Sequence, residues 1–255
     1  MRGLEGKVAV VAGGAGGIGT ATSLRLGEEG VAVVVGDLNG EAAAEVASRI
    51  TEAGGRSVGV AVDISDEGAV AAMVETAVTT FGRLDLLHAN AADLSPDTLG
   101  RDSNALEVPL DAYDRAMAVD LRGHLLCLRA ALPEILKGGG GAVVFTSSAA
   151  AFVGEPERPT YAMAKSGLNA LVRHVASKWG RARVRANAVA PGLILTEGPR
   201  SVLPEEFLQK ALRVTRSWRL GEPEDVAAMV AFLFSSDGEW INGQVISVDG
   251  GSSLR

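Results

Sequence analysis

Residues 7–19 read Lys-Val-Ala-Val-Val-Ala-Gly-Gly-Ala-Gly-Gly-Ile-Gly, and a helical pattern follows them from Thr20 to about Glu29. The valine-rich start predicts a short buried strand, and the glycines after it predict a tight turn between that strand and the helix. Glycine lets the backbone approach a pyrophosphate without a Cβ clash, and the start of a helix offers free N–H groups with a partial positive charge. Strand, glycine turn and helix in this order therefore indicate a dinucleotide-binding site.

Two glycine patterns fit this turn. Gly14, Gly16 and Gly19 form G-x-G-x-x-G, whereas Gly13, Gly17 and Gly19 form G-x-x-x-G-x-G. A tight turn without any ligand is the alternative interpretation of either pattern. The spacing of the glycines alone does not decide between them.

The rest of the chain alternates between strand-like and helix-like segments. Further strands are predicted at residues 31–36, 57–62, 84–89, 142–148, 184–189 and 244–248, and helices at 40–53, 66–81, 111–136, 161–179 and 224–235. This alternation predicts parallel β-α-β units, which bind ligands at the carboxyl ends of their strands. Because no linker or internal repeat interrupts the pattern, we expect an α/β fold with a doubly wound parallel sheet, in a single domain over residues 1–255.

Polar side chains end three of the predicted strands. Asp37 follows the second strand, eighteen residues beyond the last glycine of the turn, and Asp63 and Asn90 follow the next two strands. An acidic residue at the position of Asp37 can bind the ribose hydroxyls of an adenosine and repels a 2′-phosphate. Positions 16 and 38 are Gly16 and Leu38 rather than basic residues that could bind a 2′-phosphate, so the sequence favours NAD over NADP. A role as a loop or helix-cap residue is the alternative for Asp37.

A second group of polar residues lies around the fifth strand and the helix that follows it. Tyr161 and Lys165 are four residues apart, which places them on one face of that helix, and Ser148 lies thirteen residues before Tyr161. A neighbouring ammonium favours the phenolate form of a tyrosine, which makes the phenol a usable general acid/base. A serine hydroxyl nearby can hydrogen-bond the oxygen of a carbonyl or alcohol. Such a pair also occurs by chance on surface helices. It therefore indicates a catalytic site only together with the cofactor site that precedes it in the chain.

These motifs together resemble the classical short-chain dehydrogenase/reductase family over essentially the whole chain. The turn is similar to that family's cofactor loop in its second glycine pattern, and Asp63-Ile64 is similar to its adenine-contacting pair. Asn90-Ala91 resembles its Asn-Ala-Gly motif, and the segment Pro191-Gly192-x-Ile194-x-Thr196 resembles its clasp for the nicotinamide carboxamide. The candidate cofactor contacts are Gly13, Gly16, Gly17, Ile18, Gly19, Asp37, Leu38, Asp63, Ile64, Asn90, Ala91, Ala92, Tyr161, Lys165, Pro191, Gly192, Ile194 and Thr196.

The resemblance implies a seven-stranded Rossmann-like sheet, hydride transfer with NAD and, usually, a homotetramer. It assigns Ser148 to orient the substrate oxygen and Tyr161 to take or give the proton. It also assigns Lys165 to hold the ribose of the nicotinamide half of the cofactor. The protein would supply placement and electrostatics to a redox reaction that the cofactor carries.

Three residues depart from the family's pattern. Ala12 stands where a threonine is usual, and Ala92 replaces the glycine of Asn-Ala-Gly, so the backbone there has to accommodate a Cβ. Asp120 occupies the position of the fourth catalytic residue, ordinarily an asparagine whose main chain helps to hold a water on the lysine. A main-chain role survives this exchange, but a carboxylate near Lys165 would partly offset its effect on the tyrosine. We therefore expect activity with an altered pH profile.

Composition excludes several other classes of protein. The formal charge of -7 and the absence of a basic run argue against nucleic-acid binding, and no apolar run is long enough for a membrane span. The single cysteine, Cys127, permits no intrachain disulfide and suits the cytoplasm. The three histidines, His88, His124 and His174, lack metal-ligand spacing, so no metal site is predicted and structural or surface roles are expected.

Two irregular stretches are expected to border the substrate. Residues 93–110 form a polar connection that is longer than the others, and residues 193–218 have the pattern of a lid that closes over a ligand. The candidate walls of the substrate pocket are Asp93, Leu94, Ala149, Phe152, Val153, Arg158, Leu193, Phe207 and Trp218. These side chains are mostly apolar and favour a cyclic or aliphatic alcohol over a polyol.

The leading hypothesis is an NAD-dependent oxidoreductase that acts on a secondary alcohol or ketone. A dinucleotide-binding sensor or assembly protein with impaired turnover is the alternative, and Asp120 and Ala92 are its only support. A third possibility is elimination without a nicotinamide, as in halohydrin-cleaving relatives. Those relatives have arginine at the position of Lys165 and lack the glycine turn, whereas this chain has the lysine and the glycine turn.

Overall fold

Seven parallel strands form one sheet at the centre of the protein, and a computed structural model describes residues 1–196 and 204–254 of the chain. The strands are β1 (Val8–Ala12), β2 (Ala32–Asp37), β3 (Arg56–Ala61), β4 (Leu86–Ala89), β5 (Gly141–Thr146), β6 (Val184–Pro191) and β7 (Val245–Val248). Their order across the sheet is β3-β2-β1-β4-β5-β6-β7. The order reverses between β1 and β4, and ligands bind at such a switch point in doubly wound sheets. The predicted seven-stranded α/β fold is confirmed.

Helices cover both faces of the sheet. They are α1 (Gly17–Glu28), α2 (Gly40–Glu52), α3 (Glu67–Phe81), α4 (Leu110–Met117), α5 (His124–Lys137), α6 (Pro159–Trp179), α7 (Glu205–Val214) and α8 (Pro223–Phe234). Successive residues of β1 point to opposite faces: Val8 and Val10 pack in a core with α3, α5 and α6, and Ala9 and Val11 pack in a second core with α1, α2 and α8. Burial on both faces explains why the strands read as nearly continuous apolar runs.

The long helix predicted over residues 111–136 is present, but it is not an α-helix throughout. α4 and α5 are joined by a π-helical segment, Ala118–Gly123, which contains Asp120. A π turn accommodates one extra residue without ending the helix, so the apolar residues on either side of it still face the core. A hydrophobic pattern therefore cannot distinguish it from an α-helix. Such turns often occur at functional sites.

The other element boundaries differ from the predicted ones by up to three residues, with one consequence for the site. β5 ends at Thr146, so Ser148 lies just beyond the strand rather than within it. The 93–110 connection contains only a short 3₁₀ turn, Leu99–Arg101. Of the expected lid, residues 197–203 lie outside the described residues, and most of residues 204–218 belong to α7. Within the described parts of the chain, no helix is both long and apolar enough to cross a membrane.

Candidate active site

A cleft of about 650 Å³ opens at the carboxyl edge of the sheet, over the switch point. It has the size of a ligand or cofactor site. Every candidate cofactor contact lines it except Gly19, and the predicted catalytic residues Ser148, Tyr161 and Lys165 line it as well. Asp120 does not line the cleft, because its side chain is buried behind the wall. Ala15, Asn39, Ala42, Val62, Asp93, Leu94, Arg115, Val119, Thr146, Ser147 and Leu193 complete the lining.

The glycine turn forms one end of this cleft, and its backbone is packed against the loop after β4. Gly13 has a φ of 79°, and a Cβ built on it would lie 2.5 Å from the Cα of Ala91. A Cβ on Gly19 would overlap the carbonyl oxygen of Gly13, so Gly19 supports the turn from behind rather than facing the cleft. Gly16, by contrast, has open space around it. The turn is therefore a tight cradle: Gly13 and Gly19 permit its close packing, and Gly16 leaves its backbone open to a ligand, as a bound pyrophosphate requires.

Asp37 at the end of β2 holds the same turn. Its carboxylate accepts hydrogen bonds from the backbone N–H groups of Ala15, at 3.0 Å, and Asn39, at 3.1 Å. Asn39 in turn caps α2 through Ala42. The carboxylate thus stands at the rim of the cleft next to the glycines, where the sequence predicts contact with a ribose.

An arginine that the sequence pattern does not reveal lies in the cleft beside Asp63. The Arg115 guanidinium, from α4, is 3.0 Å from the Asp93 carboxylate and 3.5 Å from that of Asp63. Burial opposes ionisation of Asp63, but hydrogen bonds from Ser65 and the nearby Arg115 charge lower its pKa overall. Both carboxylates are therefore ionised near neutral pH. Arg115 joins two segments that are far apart in the sequence, so no local spacing marks it.

A chain of hydrogen bonds ties β4 and β5 to the glycine turn. The Asn90 side-chain amide donates to the Gly13 carbonyl at 2.9 Å, and the Thr146 hydroxyl donates to the Asn90 side-chain oxygen at 2.8 Å. Because the single hydroxyl proton of Thr146 is used in this way, His88 Nε2, at 2.9 Å, must donate to Thr146. His88 is therefore the neutral Nε2–H tautomer, and complete burial lowers its pKa to about 3.

Tyr161 and Lys165 meet in the cleft from the first turns of α6. The Lys165 side chain is only 1% exposed, and its ammonium donates to the Thr146 carbonyl at 3.1 Å. The ammonium lies 5.5 Å from the centroid of the Tyr161 ring. Ser148 Oγ accepts from the Ala150 N–H at 3.2 Å. This bond leaves the serine proton to be donated to a bound oxygen.

Asp120 lies behind this pair, in the π turn, and it contacts the loop after β4. Its side chain is 1% exposed and accepts from the Asp93 N–H at 2.8 Å. Burial raises the pKa of the Asp120 carboxyl, while the Lys165 ammonium opposes part of that rise. One helical turn later, His124 Nε2 donates to the Ala91 carbonyl at 2.8 Å. The helix thus holds the loop on both sides of Ala92.

Ala92 itself is accommodated without strain. The only non-glycine residues with positive φ in the described part of the chain are Arg158 and Arg183, so a Cβ at position 92 meets no left-handed backbone. The lost threonine hydroxyl at Ala12 is likewise covered by main-chain contacts, since the Ala12 carbonyl accepts from the N–H groups of Asn90 and Ala91 at 2.9 Å each. Neither departure disturbs the cleft.

The far wall of the cleft comes from the end of β6. The Gly192 N–H donates to the Val248 carbonyl at 3.1 Å, and Ile194 pairs with Gly221. Thr196 faces the glycine turn so closely that a Cβ on Gly17 would overlap its side chain. The far wall and the glycine turn therefore approach each other closely at Thr196. Among residues 1–196 and 204–254, no cluster of three His, Cys, Asp or Glu side chains is arranged to hold a metal.

A doubly wound sheet with this glycine cradle and a tyrosine–lysine pair in one cleft defines a dinucleotide-dependent oxidoreductase of the Rossmann class. Known proteins that are similar in sequence and in structure belong to the same class of oxidoreductase. Residues 13–253 match the family described as enoyl-(acyl carrier protein) reductase. The chain belongs to the short-chain dehydrogenase/reductase family.

Three relatives illustrate the range of that family. A probable short-chain type dehydrogenase/reductase of Bradyrhizobium diazoefficiens is 45% identical over 250 residues, which cover 97% of this chain and 87% of that protein. A cis-4-hydroxycyclohexanecarboxylate dehydrogenase of Sinomonas cyclohexanicum is 38% identical and covers 96% of each chain. A solved 7α-hydroxysteroid dehydrogenase, in complex with NADH and 7-oxo glycochenodeoxycholic acid, matches with a TM-score of 0.91 at 32% identity, over 100% of this chain and 97% of that one.

Proposed function

We propose that the protein transfers a hydride between NAD(H) and a secondary alcohol or ketone, with Tyr161 as the general acid/base. The observation that carries this proposal is the buried Lys165 ammonium 5.5 Å from the Tyr161 ring, in the same cleft as the glycine cradle. A cation at that place favours the phenolate, which is the form that accepts a proton from an alcohol.

Each of the candidate site residues has a different role in the proposed hydride transfer. The nicotinamide, when bound, supplies the redox chemistry. Ser148 donates its hydroxyl proton to the substrate oxygen and fixes its position, and Tyr161 takes the proton from that oxygen during oxidation. Lys165 uses one N–H on the Thr146 carbonyl, so two donors remain for the hydroxyls of the nicotinamide ribose. Asp37 and Asp63 bind the adenosine half of the cofactor at the opposite end.

The test is an oxidation assay of the purified protein with NAD and a panel of cyclic and aliphatic secondary alcohols. The proposal requires NADH formation with at least one of them, together with its loss on removal of the Tyr161 hydroxyl. Turnover that does not depend on that hydroxyl would refute the proposed proton transfer. Coenzyme binding without turnover of any panel member would favour the alternative, a dinucleotide-binding sensor or assembly protein.

The coenzyme preference can be tested separately. We expect NADH to bind more tightly than NADPH by about tenfold or more, a difference of ~1.4 kcal/mol, because the Asp37 carboxylate repels a 2′-phosphate. Titration of each coenzyme against intrinsic tryptophan fluorescence measures both affinities. Asp37→Asn is the matched variant, since it keeps an oxygen for the Ala15 N–H and removes the charge; it should narrow the preference. Tighter NADPH binding by the wild type would contradict the role of Asp37.

The substrate class follows from the walls of the cleft and from the relatives. Leu94 and Leu193 line the same cleft as Tyr161, and the helix α7 within the expected lid presents Phe207 as a partly exposed side chain. Two of the relatives are named for hydroxyl groups on rings, a steroid and a cyclohexane. We propose a cyclic or aliphatic secondary alcohol, oxidised with NAD, under a lid over about residues 193–218.

Asp120 gives the proposed function a distinctive pH dependence. Where the Asp120 carboxylate is ionised, its negative charge offsets part of the effect of the Lys165 ammonium on the phenol, and a neutral side chain at this position removes that offset. We therefore expect Asp120→Asn to keep activity and to shift the rising limb of kcat against pH, for alcohol oxidation, towards lower pH. Measuring kcat across pH for wild type and variant decides this. An unchanged limb would show that the carboxylate has no electrostatic effect on the proton transfer.

For the oligomeric state and the location in the cell, we propose what the family resemblance implies. An apolar groove on α4, the π turn, α5 and α6, lined by Met117, Leu121, Leu125, Gly167 and Leu171 among others, supports the proposal of a homotetramer. Cys127 is buried, and burial raises the pKa of its thiol to about 12, which suits an inert core residue. We propose a cytoplasmic protein without nucleic-acid or membrane partners.

A further inference from the structure

The catalytic helix α6 begins without a local cap. Arg158, the residue before it, has a φ of 63° and offers no side-chain hydrogen bond to the first turn. Pro159 has no N–H, so Thr160 and Tyr161 carry the two N–H groups that the helix itself leaves unpaired, and from Ala162 onward the regular bonds begin with the Arg158 carbonyl at 3.1 Å. Buried donors of this kind need a partner from elsewhere.

Asp102 is that partner, from a segment almost sixty residues earlier. One of its carboxylate oxygens accepts from the Thr160 N–H at 3.2 Å, and the other accepts from the Tyr161 N–H at 2.9 Å. Asp102 is 5% exposed, and its own carbonyl accepts from the Arg158 N–H at 2.9 Å. The residue is therefore fixed to the start of α6 by its main chain and by both oxygens of its side chain.

We infer that Asp102 is a positioning residue for Tyr161. A carboxylate at a helix N-terminus is stabilised by the helix dipole, and here it bonds the backbone of the tyrosine that exchanges the proton. The Cα of Tyr161 is thus located by a direct hydrogen bond from outside its own helix. Because displacement of a reacting group by about 1 Å can cost 10²-fold in rate, this bond matters for the chemistry as well as for stability.

The same residue couples Tyr161 to the substrate side of the cleft. Asp102 belongs to the 93–110 connection, whose first residues, Asp93 and Leu94, line the cleft. The connection is held at Asp93 by the Asp120 carboxylate and at Asp102 by the start of α6. It therefore links a substrate wall to the proton carrier. This inference rests on the proposed function for its kinetic effect, but its structural effect can be measured without turnover.

The experiment compares Asp102→Ala, Asp102→Asn and a control variant, Asp66→Ala. Asp66 caps α3 in the same chemical manner, its carboxylate accepting from the Ala69 N–H at 2.8 Å, and it does not line the cleft. Each variant is measured for kcat, for KM of the alcohol and of NAD, for NADH affinity by fluorescence, for thermal unfolding, and for hydrogen exchange of the peptide that contains Thr160 and Tyr161.

We expect kcat of Asp102→Ala to fall on the order of 10²-fold with NADH affinity unchanged, and exchange at the start of α6 to accelerate. Asp102→Asn should recover much of the loss, because its amide oxygen still accepts one of the two bonds. The control should unfold at a lower temperature but keep its kcat. If Asp102→Ala keeps kcat while its unfolding temperature falls as in the control, Asp102 is only a structural cap and the inference is wrong.

Two further outcomes, a variant that does not fold and a wild type without turnover, can be distinguished from failure of the inference. If Asp102→Ala does not fold, Asp102→Asn decides: a several-fold lower kcat with faster exchange supports the inference, and unchanged values of both overturn it. If the wild type turns over none of the alcohols, the proposed function fails. The exchange measurement then still tests whether Asp102 fixes Tyr161, and unchanged exchange in Asp102→Asn and Asp102→Ala would overturn that.

Discussion

Tyr161→Phe should lower kcat/KM for alcohol oxidation by about 10³-fold and leave NADH affinity close to that of the wild type. The substitution removes one oxygen from a side chain that lies beside the Lys165 ammonium. The phenyl ring still fills its place in the wall of the cleft, so binding of the coenzyme is retained. What is lost is the group that exchanges a proton with the substrate oxygen.

The comparison has a natural control in the chain. Tyr113 on α4 is the only other tyrosine, and it does not line the cleft. Tyr113→Phe removes the same atom and should keep kcat/KM within about twofold of the wild type, the range expected of a change outside the reacting groups. Rates are followed by NADH absorbance, and coenzyme affinity by fluorescence. Equal rates for Tyr161→Phe and the wild type would exclude Tyr161 as the acid/base.

Acidification should destabilise the protein well before its carboxylates titrate. His88 and His124 are fully buried, and this burial lowers the pKa of each to about 3, with the Lys165 charge adding to the effect on His124. In the unfolded chain both titrate near 6.5, so below that pH the unfolded state binds protons that the folded state does not. Stability is therefore fully present above about pH 6.5 and falls as the pH drops from there towards 3.

The expected loss between pH 7.5 and pH 5 is about 2 kcal/mol for each histidine, or about 4 kcal/mol in total. Urea unfolding at a series of pH values measures it. His88→Gln retains an N–H for Thr146 without titrating in this range, and it should remove about half of the pH dependence. A free energy of unfolding that stays constant from pH 7.5 to pH 5 would contradict the buried neutral state of both side chains.

The role of Tyr161 can be predicted from the sequence, whereas the pH dependence due to His88 and His124 can be predicted only from the folded structure. The tyrosine is visible in the sequence because its spacing from Lys165 and the preceding glycine turn are local patterns. The histidine effect is not, because the sequence suggests only a structural or surface role for each histidine. Burial of both rings, and the bonds that fix their tautomers, depend on which strands and helices become neighbours in the folded chain.

By itself, the sequence determined the parallel α/β fold and the candidate cofactor contacts, all of which except Gly19 line the cleft at the carboxyl edge of the sheet. Of the predicted substrate walls, only Asp93, Leu94 and Leu193 line the cleft, and Ala149, Phe152, Val153, Arg158, Phe207 and Trp218 do not. Apolar periodicity, glycine conformational freedom and the alternation of strands and helices are local properties, and in a parallel sheet they place every strand end on one rim. Only the tertiary structure decided how that rim is held together. Arg115 between Asp63 and Asp93, and Asp102 on the N–H groups at the start of α6, each join segments separated by tens of residues. Such contacts leave no periodic signal, because they depend on the order of the strands and the packing of the helices on the sheet.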